Sequence, residues 1–199
     1  MDNRTRSERT REAVLQAALT IMTRDGAGRL TLDAIAKESG VSKGGLLHQF
    51  PSKDAVITAL LERQTARVEA LAQQHLQAQG AGQLYPQLAA HIATSREVLS
   101  APAFALSFAM FGLLAQDPGL LARSRERDAR KLAAIKSEAA DPDLATLRWL
   151  AAKGLVQAAM VGPSVITEEE RERLFARLLD DAAWHALEHQ ARTPEVQAG

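Results

Sequence analysis

Apolar residues recur at helical spacing along nearly the whole chain, and no stretch of useful length alternates as a strand would. Ala13, Val14, Ala17, Ala18, Ile21 and Met22 share one face of a helix expected from about Ser7 to Arg24, and "DGAGRL" stops it with two glycines. Thr31 is a good N-cap for a second helix, "LDAIAKES", whose inward stripe is Leu32, Ile35 and Ala36. Asp33 suits its positive end, and Gly40 closes it where a left-handed residue is expected. Ser42 caps a third, very short helix that Pro51 ends, because the residue before a proline avoids the helical region. Ser52 caps a long fourth helix from Lys53 to about Gln79.

The pattern continues after "GAG". A fifth helix is expected from Leu84 to about Leu99. Pro102 opens "PAFALSFAMFGLLAQ", apolar on nearly every side and therefore expected to be buried all round. "DPG" at 117–119 ends it, and the next helix, from near Leu120 to about Ala140, carries the dense mixed charge of a solvated face. After "DPD" at 141–143, a helix from Leu144 to about Val161 mixes Leu147, Leu150, Leu155 and Met160 with Ala151, Ala152, Gly154, Ala158 and Ala159. Small residues at that spacing let a second helix come close. Thr167 and Glu170 form a capping box for one last helix reaching about Ala191, with Leu174, Phe175, Leu178, Leu179, Ala182 and Leu187 as its apolar stripe. The expected fold class is all-α.

Residues 31–50 read as helix, glycine-containing tight turn, helix, the sequence form of a helix-turn-helix. In such a unit the second helix enters the DNA major groove, led by its N-terminal residues. That gives a reason for Gly44 and Gly45 inside so short a helix. Glycine costs roughly 1 kcal/mol relative to alanine, but it lets the backbone approach bases and phosphates closely. The expected organisation is a DNA-binding domain over 1–54, a linking helix over 53–79 that opens the second domain, and that larger helical domain over 55–199.

Composition narrows the classes. The chain of 199 residues is 46% hydrophobic and 24% charged, ordinary for a globular protein. Net charge is zero, and the first 60 residues hold nine Lys/Arg against seven Asp/Glu. DNA affinity must therefore come from local placement rather than from a strongly basic domain. No cysteine is present, which excludes disulfides and thiolate metal sites. "MDNRTRSERTRE" lacks the apolar core of a signal peptide and no apolar run reaches membrane-spanning length, so a cytoplasmic location is expected.

The block "AALTIMTRDGAGRLTLDAIAKESGVSKGGLLHQFPSKDAVITALL" resembles the tetracycline-repressor (TetR) family of bacterial transcription regulators. Thr31, Ile35, Ala36, Gly40, Val41, Ser42, Gly44, Leu46, His48, Phe50, Ser52 and Lys53 stand where the family pattern wants them. The resemblance covers about Arg11 to Leu61. Thr31, Ser42 and Lys53 are then candidate phosphate contacts, and Lys43 and His48 candidates for bases or phosphates. Gly44 and Gly45 permit close approach. Leu32, Ile35, Leu46 and Phe50 read as core. The chain departs from the family at Gly45, often a small polar residue, at Leu47, usually tyrosine, and at Gln49, often aromatic. Leucine at 47 removes a common phosphate contact, and Gln49 either pairs bidentately with adenine or stays solvated. Arg4, Arg6, Arg9 and Arg11 are either an arm reaching DNA or a solubilising tail.

The resemblance also implies an effector cavity in the second domain and dimerisation through the last two helices, over 144–191. Phe104, Phe108, Met110 and Phe111, with His91 and Trp149, are candidate pocket residues. Leu155, Ala158, Ala159, Leu174, Leu178 and Ala182 are candidate dimer contacts. The expected protein is a homodimeric repressor on double-stranded DNA, released by a small apolar or aromatic effector, with no cofactor, no membrane partner and no enzymatic activity. The alternative is a DNA-bound regulator that acts through a protein partner without small-molecule control. "HALEH" at 185–189 fits one metallopeptidase pattern, but the sequence leaves no downstream chain for a third ligand. His185 and His189 are read as a surface pair.

Overall fold

The computed structural model describes residues 3–79, 82–99, 107, 117–160 and 165–192. Every regular element among them is helical. The elements are α1 (Asn3–Asp25), a 3-10 turn (Ala27–Arg29), α2 (Leu32–Ser39), α3 (Lys43–Gln49), α4 (Lys53–Gln79) and α5 (Pro86–Val98). α6 (Pro118–Glu138), α7 (Pro142–Met160), α8 (Glu168–Leu178) and α9 (Asp181–Arg192) complete it. The described chain divides into two compact units. One holds residues up to Val68 and the start of α6, and the other holds Glu69 to Leu99 and everything from Ser124 onward. Helices α4 and α6 each run from one unit into the other.

The first unit forms around Val14, Ala18, Ile21, Ile35, Leu46 and Leu60, all buried. Leu120, from the first turn of α6, packs against the same core. Its helix ends are closed locally. The Thr31 hydroxyl accepts from the Ala34 N–H at 3.1 Å, and the Ser42 hydroxyl from the Gly45 N–H at 3.2 Å. The Ser52 hydroxyl accepts from the Ala55 N–H. Gly40 ends α2 at φ 68°, a left-handed turn that glycine makes without a Cβ clash. Arg24 bridges from α1 to Glu38 of α2, with Nη2 at 3.0 Å from the carboxylate, and Arg63 of α4 reaches Glu12 of α1 at 2.6 Å.

The second unit is built around Leu88, Ile92, Ile135, Ala145, Trp149 and Phe175. Its defining contacts are made by charges at long range. Arg148, only 1% exposed, donates from Nε and Nη2 to the Leu178 carbonyl and from Nη2 to Asp181 at 2.7 Å. The rings of Tyr85 and Trp184 lie within 5.8 and 5.4 Å of its guanidinium. Glu138, at the end of α6, accepts the Gln87 and Leu88 N–H groups at 3.0 and 2.9 Å. It thereby caps α5, whose own N-cap residue, Tyr85, supplies no side-chain cap.

Several boundaries differ from the sequence expectation. α1 begins at Asn3, so Arg4, Arg6, Arg9 and Arg11 lie on a helix rather than in an arm. Both "DP" motifs start helices rather than only breaking them. Asp117 caps α6 through the Gly119 and Leu120 N–H groups, Asp141 caps α7 through those of Asp143 and Leu144, and a proline takes the first helical position each time. The Thr167/Glu170 capping box is present. The helix it opens ends at Leu178, however, and α9 begins at Asp181. The break is held open because the Arg177 and Leu178 carbonyls it frees accept from Trp184 Nε1 and from Arg148. The helix expected over "PAFALSFAMFGLLAQ" lies outside the described residues, apart from Ser107.

Candidate nucleic-acid interface

Helix α3 is held from beneath and bare above. Leu46 is fully buried, Phe50 is nearly so, and the Arg11 guanidinium lies 4.7 Å over the Phe50 ring. Ser42, Lys43, Gly44, Leu47 and His48 are exposed. At helical spacing Lys43, Gly44, Leu47 and His48 (i, i+1, i+4, i+5) form one solvent-facing row. Leu47 is 41% exposed, unusual for a leucine that serves only packing.

The hydroxyls at the two helix starts use a lone pair to cap the backbone, which leaves each O–H free to donate outward. Thr31 and Ser42 therefore combine a capped helix N-terminus with a donor to a phosphate oxygen. Lys43 Nζ pairs with Asp33 Oδ1 at 2.7 Å, with both side chains exposed. An incoming phosphate has to take the ammonium from that partner. Lys53, in the first turn of α4, is exposed.

The two glycines differ. A Cβ at Gly44 would meet nothing within 4 Å, so inside the protein nothing demands glycine there. A Cβ at Gly45 would stand 3.2 Å from the Ser42 hydroxyl that caps the helix and 3.3 Å from Val41. Gly45 thus has a local reason, and Gly44 has one only if something approaches from outside. Gln49 is half-buried at the end of α3 and already has a partner within the protein. Its amide Nε2 donates to Ser7 Oγ of α1 at 2.7 Å. Ser7 carries no motif, and only the long-range pairing of α1 with the end of α3 reveals it.

Of the expected pocket residues, Phe104, Phe108, Met110 and Phe111 lie outside the described residues. Trp149 is part of the second unit's core, and His91 is half-buried on α5. Burial, followed by the nearby Lys131 charge, pushes the His91 pKa down to about 4. The α6 segment read as a solvated face has an inner side, with Arg127, Asp128, Lys131 and Leu132 half-buried and Ile135 fully buried. A separate cleft of about 440 Å³ is lined from α4, α5 and α8 by residues that include His75, Arg96, Glu97, Arg171 and Glu172. None of the expected pocket residues lines it. Arg171 Nε is buried there without a hydrogen-bond partner among the described residues.

On the expected dimer surface, Ala158, Leu174 and Ala182 are exposed, while Leu155 and Ala159 are half-buried. Leu178, at 7% exposure, is corrected to the core of its own unit, because Arg148 draws the end of α8 inward. The more exposed apolar row on α7 is Leu147, Leu150, Ala151, Gly154 and Ala158, with Leu147 at 61% and Leu150 at 51%. His185 is half-buried, with Nδ1 3.5 Å from the Tyr85 hydroxyl, and so is not a purely surface residue. No group of three or more potential metal ligands occurs among the described residues. No described helix is long and apolar enough to cross a membrane.

A helix-turn-helix with a bare recognition row, followed by a second helical unit, defines a DNA-binding transcriptional regulator. The comparisons with known proteins agree. Residues 14–60 match the family of bacterial regulatory proteins called tetR, and residues 86–183 match the tetracyclin repressor-like C-terminal domain. The chain belongs to the TetR family, whose members are transcriptional regulators rather than enzymes. Over 72 residues it is 39% identical to the HTH-type transcriptional regulator UidR of Escherichia coli (strain K12), a match covering 34% of this chain and only 37% of that relative. A TetR family regulator from Marinobacter aquaeolei VT8 superposes with a TM-score of 0.62 at 22% identity, over 89% of this chain and 97% of that one. The multidrug binding protein EbrR, solved in complex with malachite green, does so with a TM-score of 0.62 at 17% identity, over 84% and 96%. These structures share the fold.

Proposed function

We propose that the protein is a repressor that binds a near-palindromic operator as a homodimer and is released by a small apolar or aromatic effector held in the second unit. The observation that carries the DNA half is the solvent-facing row Lys43, Gly44, Leu47 and His48 on a short helix anchored by Leu46 and Phe50. In this reading Lys43 and His48 meet bases or phosphates, and Leu47 offers an apolar contact to a thymine methyl where relatives use tyrosine. Thr31, Ser42 and Lys53 hold phosphates, and Gly44 and Gly45 let the backbone come close. Gln49 acts through its bond to Ser7.

Dimerisation is supported by the apolar row on α7 and by Leu174 and Leu187 on α8 and α9, which find no cover within the described chain. A two-fold pair would set two recognition helices about one DNA turn (~34 Å) apart or somewhat more. An effector then acts by preferring the state whose spacing no longer fits DNA. EbrR's complex with malachite green supports a fold able to hold a flat aromatic ligand.

The test is a mobility-shift titration against the DNA just upstream of the protein's own gene, with excess nonspecific competitor. Wild type is expected to give a saturable shift that Lys43→Ala and His48→Ala lose. Sedimentation equilibrium of Leu150→Glu is expected to give a monomer. A saturable shift unchanged in both α3 variants would sink the assignment of the reading helix.

A further inference from the structure

The ion pair between Lys43 and Asp33 joins the first turns of α3 and α2. Lys43 Nζ stands 2.7 Å from Asp33 Oδ1, and the two side chains are 62% and 75% exposed. A pair so open to water holds little of the fold together. Its place is the informative feature. Lys43 opens the solvent-facing row of α3, so Asp33 sets a carboxylate at the edge of that row. Residues 39–53, which hold the turn, α3 and the start of α4, contain no other acid, and Glu38 is turned to Arg24 of α1.

A carboxylate on a surface that meets DNA repels the phosphates of every sequence alike, so it lowers affinity without regard to sequence. The positive end of α2 gives a reason for an acid in its first turn. It gives none for an acid whose oxygen meets the lysine of the reading row. The pair changes what that lysine can do. A lone lysine is a point charge on a flexible stem, and phosphates lie within its reach along the whole duplex. Ammonium and carboxylate together carry no net charge, which weakens the pull of the backbone. The ammonium has three N–H groups, and only one side of it faces Asp33. The donors that remain suit uncharged acceptors held close in front of α3. In the major groove, guanine O6 and N7 are such a pair.

We propose that Asp33 is a positioning residue that directs Lys43 to a guanine in the major groove and away from the phosphate backbone. This role rests on α3 being the reading helix, and it assigns to each recognition helix a G·C pair read by Lys43. Asp33 lowers affinity for all DNA while raising the ratio of specific to nonspecific binding.

The test uses the full-length wild type, Asp33→Asn, Asp33→Glu, Lys43→Ala and the Asp33→Asn/Lys43→Ala double variant. The wild type selects a duplex from a randomised pool. Each protein is then titrated across a salt series with that duplex, with copies in which one G·C pair at a time becomes A·T, and with an unrelated duplex of equal length. The wild type is expected to bind roughly tenfold or more weakly when one particular G·C pair is changed. Asp33→Asn should bind the unrelated duplex several-fold more tightly, with a salt slope steeper by up to about one. It should also lose most of the G·C preference, so that its ratio of specific to nonspecific affinity falls roughly tenfold. Asp33→Glu, which keeps a carboxylate, should keep the preference. Lys43→Ala should lose it, and adding Asp33→Asn to that variant should remove no more. A preference kept by Asp33→Asn but lost by Lys43→Ala would overturn the role of Asp33 and leave the reading helix standing. Uniform weakening by Lys43→Ala, with no G·C pair singled out, would place Lys43 on a phosphate and overturn it as well. A wild type that selects no sequence, or a selected site at which Lys43→Ala changes nothing, would remove both this role and the assignment of the reading helix.

Discussion

Both units combine local caps with long-range charged contacts, but those contacts lie at the surface in the first unit, as in Arg24–Glu38 and Arg63–Glu12, and inside in the second, at Arg148 and Glu138. In the first unit, helix ends are closed by residues three positions away: Thr31 to Ala34, Ser42 to Gly45 and Ser52 to Ala55. In the second, the decisive bonds join residues 30 to 51 positions apart, from Arg148 to the Leu178 carbonyl and from Glu138 to the Gln87 and Leu88 N–H groups. The first unit presents its reading surface on apolar packing and local caps, with its long-range bonds, such as Gln49 to Ser7 and Arg63 to Glu12, on the outside. The second places charge inside, where each bond is strong but leaves two unsatisfied groups if one partner is lost.

The sharpest way to break this contrast is Arg148→Met. It strands the Leu178 carbonyl and the Asp181 carboxylate and leaves Trp184 and Tyr85 without the guanidinium they face. A loss of about 3–5 kcal/mol in urea unfolding is expected. A loss below 1 kcal/mol would show that the buried arginine is dispensable.

The next effect is pH dependence. His91 titrates near 4 when folded, below its ordinary value of 6.5. Between those values the unfolded chain binds more protons, so stability falls as pH drops through that window and is fully present above it. From pH 7 to pH 5 the expected loss from this residue is about 2 kcal/mol. A His91→Phe variant followed across the same range should show a flatter profile. A profile as steep as the wild type would place the sensitivity elsewhere.

The smallest stability effect is expected on the reading surface, where the functional effect is largest. Lys43→Ala removes an exposed ion pair with Asp33 worth at most about 1 kcal/mol, yet it should weaken operator binding at least about tenfold. A melting curve beside a binding titration separates the two. Weakened binding that tracks a large fall in melting temperature would mean that Lys43 is structural.

The same contrast explains what was legible in the sequence. Thr31, Gly40, Ser42 and the Thr167/Glu170 box were readable because a cap and its target lie within one turn. Ile35 follows from the apolar spacing of α2, whereas Leu46 and Phe50 read as core beside the family resemblance. The break at residues 179–180 was not readable, because the apolar stripe runs through it and the arginine that stabilises it stands some 30 residues earlier. From its place in that stripe Leu178 reads as outward-facing, for the same reason. Lys131 was hidden in a charged run. Its spacing from Ile135, one turn on, was the available sign that one side of that helix faces inward. Nothing near Gln49 in the sequence reveals its bond, because its partner, Ser7, lies 42 positions away.

The most direct test of the central claim is specific operator binding by Gly44→Ala. Nothing inside the protein opposes a Cβ at this position, and alanine should favour the helix by up to about 1 kcal/mol. If α3 reads DNA at close approach through this face, the variant will be as stable as the wild type or more so, yet will bind the operator at least about tenfold more weakly. Equal binding by an equally stable Gly44→Ala protein would contradict the account, because the glycine of α3 with no internal reason would then have no external one either.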